Sequence, residues 1–87
     1  MLKTSTTQTQ LTTTMNIITA PRFIELAADR VGPLTRRDNV DSARIWLQGK
    51  VNSYRADYAA GQDWAPIEQV KEAEAALEEI TAKLAAL

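Results

Sequence analysis

The chain contains no cysteine and no histidine among its 87 residues. Without Cys it cannot form a disulfide, which fits a reducing compartment. Without Cys or His it lacks the usual zinc ligands, so we expect no metal site. A domain this short buries a modest share of its unfolded surface. We therefore expect extra stability to come from self-association or from docking on a larger partner.

The same absences weigh against catalysis. A Ser or Thr nucleophile needs a base, and no His is present to supply one. The three Gly are scattered and cannot form a phosphate-cradling loop. The paired carboxylates Glu78-Glu79, and Glu68 with Glu72, are typical of a solvated helix. We predict a protein that is not an enzyme and uses no cofactor.

Long apolar runs are also missing. No segment approaches the roughly 20 apolar residues of a membrane-spanning helix. The first residues, Met-Leu-Lys followed by Thr and Gln, lack the hydrophobic core of a secretion signal. We expect no membrane contact and a location in the cytoplasm or in an intracellularly assembled particle.

Charge is nearly balanced overall, at −1, but it is unevenly distributed. Residues 1–60 hold eight Lys/Arg against five Asp/Glu, a balance of +3, and residues 61–87 hold two against six, a balance of −4. The two parts could attract one another within the fold or between subunits. The alternative is a solvated acidic helix, since exposed charges contribute little individually.

A heptad pattern occupies the C-terminus and predicts a helix over about 66–86. Its apolar positions step by 3, 4, 3, 4, 3: Val70, Ala73, Leu77, Ile80, Leu84 and Leu87. Such a stripe must be covered by another helix. Asp63 is one N-cap candidate for this helix, and Ala65 followed by Pro66 is the other.

Two further helices are predicted upstream. The first, about 20–31, has Thr19 as N-cap and ends at Gly32-Pro33. The second, about 40–60, could be capped by Asp38, Asn39 or Asp41. Gly61 closes it, and Gly49 in its interior suggests close approach of another backbone. One face of this second helix is apolar: Val40, Ala43, Leu47, Val51, Tyr54 and Tyr58.

A turn of about five residues separates the second and third helices and favours an antiparallel hairpin. The fold prediction is therefore all-α: a small three-helix domain over 19–87, dominated by that hairpin. Residues 1–18 precede it as an extended or disordered arm. Seven of residues 4–14 are Thr, which resists helix formation, and an ordered arm would need a partner.

Five residues are candidate contacts with a protein partner. Trp64 lies at the hairpin turn, where it either anchors a contact or folds back over Val70 or Ile67. Trp46 lies beside the main apolar face, so it meets the first helix or a partner. Leu84 and Leu87 extend past the expected end of the hairpin, and Leu11 is the one large apolar residue of 4–14.

Anion binding is the alternative function. Its candidate residues form an Arg/Tyr surface: Arg36, Arg37, Arg44, Arg55, Tyr54 and Tyr58. Arg and Tyr together can hold a nucleotide or a phosphate backbone. The competing interpretation is that these Arg pair with Asp38, Asp41, Asp57 and the acidic third helix.

The sequence favours a non-catalytic interaction or assembly factor, acting as an oligomer or docked on a larger complex. Small virus-encoded accessory or particle proteins have this general character. Nucleotide or nucleic-acid binding remains the second hypothesis.

Overall fold

The computed structural model describes residues 16–87, and within that range the regular secondary structure is three α-helices. Helix α1 spans Ala20–Val31, α2 spans Arg37–Ala59 and α3 spans Ile67–Ala86. Residues 1–15, and with them Leu11 and most of the predicted arm, lie outside the described residues. None of the described helices is long and apolar enough to cross a bilayer.

The three helices form an up–down–up bundle. Helices α2 and α3 are antiparallel, because Arg55 pairs with Glu74 near the turn while Arg37, at the start of α2, meets Leu84 near the end of α3. Helix α1 also runs antiparallel to α2. The ring of Phe23, near the start of α1, lies 6.0 Å from the ring of Tyr54, and Arg30, near its end, lies over Trp46. The predicted three-helix fold dominated by a hairpin is confirmed.

The core lies where the three apolar faces meet. The largest side chains that are fully buried are those of Phe23, Leu47, Ile80, Val40 and Val51. Helix α3 contributes two small residues, Ala73 and Ala76, which are fully buried and let the helices approach closely. At helical spacing, Ala73 and Ile80 are central to this face, with Leu77 and Leu84 on its flank.

The ends of α1 match the sequence prediction. The Thr19 hydroxyl accepts a hydrogen bond from the Arg22 amide, and Pro21 stands in the first turn. At the other end Gly32 adopts φ +103°, which a residue with a Cβ rarely adopts, and its N–H donates to the Ala28 carbonyl.

Helix α2 begins three residues earlier than predicted, and the predicted cap is wrong. Arg36 is the N-cap, its carbonyl accepts from Val40 N–H, and no side chain caps the helix. Asp38 lies inside the first turn, where its charge complements the helix dipole. Asn39 instead donates its side-chain amide to the Pro33 carbonyl at 2.9 Å, which fixes the α1–α2 loop.

The start of α3 is also corrected. Neither Asp63 nor Ala65 is the N-cap. Pro66 takes that position with extended backbone, and its carbonyl accepts from Gln69 and Val70. Ala65 is buried beneath the turn. Gly49 has no atom within 4 Å of where its Cβ would stand, so the expected close approach of another backbone is wrong.

Candidate protein-interaction surfaces

Trp64 is the most exposed large apolar residue of the described chain, with 62% of its surface accessible. Its indole N–H donates to a carboxylate oxygen of Asp57 at 2.9 Å. The hydrogen bond satisfies the polar group of the indole and favours this orientation, while the ring stays open to solvent. An aromatic side chain with a preferred orientation loses little conformational entropy when it binds a partner.

Two other apolar residues are exposed at the same end of the hairpin. Tyr58, in the last turn of α2, is 49% exposed, and Ile67, the first residue of α3, is 37% exposed. We call Tyr58, Trp64 and Ile67 the tip surface. Ile67 was not among the predicted contacts, although its position off the Val70–Leu84 stripe is a signal that it faces away from the core.

Carboxylates are the only charged groups on the chain segment around the tip surface. Residues 56–70 contain Asp57, Asp63 and Glu68 and no Lys or Arg. Asp63 and Glu68 are exposed, and Asp57 is part-buried by its bond to Trp64. Just outside this segment, Arg55 lies one turn before Tyr58 on α2 and Lys71 one turn after Ile67 on α3, and both are exposed. The tip surface is therefore apolar with a border of mixed charge.

The chain preceding α1 is fixed at this same end of the bundle. The side-chain amide of Gln69 accepts from the N–H of Ile18 and donates to its carbonyl, both at 2.9 Å. A carboxylate oxygen of Glu72 accepts from the Ala20 N–H at 2.7 Å. Gln69 is only 3% exposed, yet sequence reasoning missed it, because its neighbours Val70 and Ala73 already accounted for the buried face.

The predicted C-terminal contacts are placed differently from one another. Leu84 is part-buried against the core, because α2 starts early enough to reach it; Arg37 Nη1 lies 3.5 Å from the Leu84 carbonyl oxygen. Leu87 is 51% exposed at the opposite end of the bundle from the tip surface. Of this pair, Leu87 offers the freer surface.

Trp46 lies on the α1 side of α2 and is part-buried against the core. The Arg30 guanidinium carbon and the Lys50 ammonium nitrogen each lie over its ring, 5.4 Å from the ring centroid. Trp46 therefore contacts the first helix, which is one of the two environments predicted for it.

The predicted Arg/Tyr surface is divided among separate environments. Arg44 bonds Asp41 within α2 at 2.9 Å, and Arg55 bonds Glu74 of α3 at 2.6 Å. Arg36 and Arg37 stand at the start of α2, and Arg55 lies near its end. About 28 Å of helix separates Arg36 from Arg55, at 1.5 Å per residue.

Tyr54 points toward the core, where it packs edge-to-face on Phe23. Burial raises the pKa of its hydroxyl above the ordinary value of 10.0, and the nearby negative charge of Asp57 raises it further. Tyr54 is therefore a packing residue in this structure, whereas Tyr58 belongs to the tip surface.

A shallow, open groove runs along the outer side of α3. Its polar lining includes the Arg55–Glu74 pair, Lys71 and Glu78, and its apolar lining includes Leu77. The Thr81 hydroxyl, also on this groove, donates to the Leu77 carbonyl at 2.8 Å. Over residues 16–87, no group of three or more Asp or Glu side chains is placed to hold a metal ion.

Comparison of the chain with family models, with curated proteins and with solved structures gives no match.

Proposed function

We propose that this protein is a non-catalytic interaction or assembly factor whose main contact is the tip surface. The observation that carries the proposal is the exposed indole of Trp64, which is hydrogen-bonded to Asp57 and lies at the same end of the hairpin as the exposed Tyr58 and Ile67. Trp and Tyr are enriched among interface residues that contribute most to affinity.

The apolar centre of the tip surface and the two exposed carboxylates beside it indicate the chemistry of the partner. They are complementary to an apolar pocket with an Arg or Lys placed to meet Asp63 and Glu68. The partner we propose is a protein with such a pocket. The tip surface could instead bind a second copy of the chain, and the light-scattering experiment below distinguishes this self-association from binding of a different protein.

The proposal extends to the setting in which such a factor acts. We propose a location in the cytoplasm or in an intracellularly assembled particle. We also propose that the protein is a virus-encoded accessory or particle protein, since small proteins of that class share this general character. Leu87, exposed at the far end of the bundle, is a candidate second contact.

The alternative, an anion-binding Arg/Tyr surface, has less support. Arg44 and Arg55 each bond a carboxylate, and Tyr54 packs on Phe23. These three side chains would have to leave their partners before they could hold a nucleotide.

The experiment compares Trp64→Ala with Ile45→Ala. Ile45 is 59% exposed on the side of α2 away from the core and serves as the matched control. A protein captured from the native host by the wild type is identified, purified and titrated against both variants. We expect Trp64→Ala to weaken binding by at least about thirtyfold, as loss of a central aromatic contact does, and Ile45→Ala to leave it unchanged.

Equal affinity of the two variants for the purified partner would overturn the proposal. Light scattering over a concentration series tests the second occupant. A wild-type mass that rises to that of a dimer, and a Trp64→Ala mass that stays monomeric, would assign the tip surface to self-association instead of a foreign partner.

A further inference from the structure

Two positive charges converge on one indole at the side of the bundle remote from the tip surface. Arg30 comes from the last turn of α1 and Lys50 from the middle of α2, and each lies 5.4 Å from the centroid of the Trp46 ring. The two cationic groups are therefore separated by no more than the sum of these distances. We propose that Arg30, Lys50 and Trp46 form a binding site for a phosphate-bearing ligand.

Neither cation forms an ion pair with the described residues. Within residues 16–87, ion pairs closer than 4.0 Å involve Arg22, Arg44 and Arg55, and no carboxylate lies that close to Arg30 or Lys50. Two like charges near one ring repel each other, and the indole face offsets only part of this repulsion. An oxyanion that contacts both cations relieves the repulsion and gains charge-assisted hydrogen bonds.

The geometry favours an anionic group over an aromatic base. The cations lie over the ring of Trp46, and the ring is part-buried against the core, so a stacked base would have to displace them. A guanidinium presents paired N–H donors that match phosphate oxygens, and an ammonium adds a compact point charge. A ligand with two linked phosphates offers one oxyanion group to each cation, so we expect it to bind more tightly than a single phosphate.

The site is independent of the proposed protein contact. Trp46 and Tyr58 are twelve residues apart on α2, about 18 Å along the helix axis. It is also distinct from the Arg/Tyr surface, since neither Arg30 nor Lys50 belongs to that set.

The chain offers a direct reporter. In a Trp64→Phe background, Trp46 is the one remaining tryptophan, and its fluorescence reports on the site alone. The full chain is titrated with pyrophosphate and with inorganic phosphate, with ionic strength held constant by sodium chloride. We expect a saturable fluorescence change, with a lower midpoint for pyrophosphate than for phosphate.

Charge-removing variants test the assignment. In the same background, Arg30→Gln and Lys50→Gln should each raise the midpoint at least about fivefold, because each removes one charge-assisted contact. Arg22→Gln is the matched control, since Arg22 is exposed on the same helix and pairs with Glu25. It should leave the midpoint unchanged. Phosphorus NMR line broadening provides a second measure that does not depend on the indole.

Three results would overturn the proposal. One is the absence of a saturable change in both fluorescence and phosphorus NMR. Another is an unchanged midpoint in both Arg30→Gln and Lys50→Gln, which would leave the two cations with a packing role against Trp46. The third is binding of malonate, a dicarboxylate, with the same midpoint as pyrophosphate, which would show that the site has no preference for phosphate.

Discussion

Gln69 and Ile18, separated by 51 residues in the chain, are joined through both groups of one side-chain amide. The amide oxygen accepts the Ile18 N–H, and the amide nitrogen donates to the Ile18 carbonyl, each at 2.9 Å. The side chain thus pairs with a backbone unit as a neighbouring strand would. This contact ties the chain that enters α1 to the first turn of α3.

Replacement of Gln69 by Ala should lower the free energy of unfolding by about 2–3 kcal/mol, because both backbone groups of Ile18 lose their partner in a part-buried position. Gln48→Ala is the control, since Gln48 is exposed and bonds only Asn52 along the same helix. Its effect should stay within about 0.5 kcal/mol. Urea unfolding of the two variants measures the difference, and equal effects would contradict the structural role of Gln69.

Alanine at two glycines should have opposite effects. Gly32→Ala should destabilise the protein, because φ is +103° there and the new Cβ would lie 3.1 Å from the Asn39 amide nitrogen. Gly49→Ala should stabilise it by about 0.5–1 kcal/mol, because Gly49 lies inside α2 with open space around its Cβ position. Thermal unfolding of both variants gives the signs, and the same sign for both would contradict this description.

Shortening Ile80 by one methylene should cost about 1 kcal/mol. Ile80 is fully buried, so Ile80→Val leaves a small cavity among the three helices. Ile67→Val makes the same chemical change at a residue that is 37% exposed and should cost far less. Urea unfolding compares them; a larger loss for Ile67→Val would place Ile67 in the core and remove it from the tip surface.

The raised pKa of Tyr54 predicts a loss of stability at alkaline pH. The hydroxyl keeps its proton in the folded protein at pH values where the unfolded chain, with a pKa near 10.0, loses it. The stabilising contribution is therefore complete below about pH 10 and decreases as pH rises toward the folded-state pKa. The Tyr54→Phe variant has no hydroxyl to ionise at this position, so its free energy of unfolding should decrease less steeply at alkaline pH than that of the wild type.

The measurement is urea unfolding at a series of alkaline pH values. Tyr58→Phe is the matched control, because it leaves Tyr54 in place and should retain the wild-type decline. A decline in Tyr54→Phe as steep as that of the control would show that Tyr54 does not contribute to it.

The sequence was most informative where the signal is local or periodic. Thr19 and Gly32 marked both ends of α1, because capping depends on residues within one turn. The stripe from Val70 to Leu84 predicted the hairpin, because a helix with one apolar face needs a second helix to cover it.

Prediction failed where a polar residue had several possible partners. Asp38, Asn39 and Asp41 were equivalent cap candidates in the sequence, but the structure uses Asn39 to hold the Pro33 carbonyl and Asp41 to bond Arg44. The Asn39 bond depends on where the α1–α2 loop lies, which the short-range pattern does not show. The Asp41–Arg44 bond joins residues three apart in one helix, and the sequence had already offered it as an Arg–Asp pair.

The sequence by itself determined three helices, their antiparallel hairpin and most of the buried apolar face, because periodicity and capping are properties of neighbouring residues. The tertiary structure decided that Gln69 is buried against Ile18, that Asp57 fixes Trp64, and that Arg30 and Lys50 share Trp46. The Gln69–Ile18, Asp57–Trp64 and Arg30–Trp46 contacts join residues on different elements, whereas Lys50 and Trp46 are four residues apart on α2. The contacts between elements are set by packing of the whole bundle, and no local pattern encodes them.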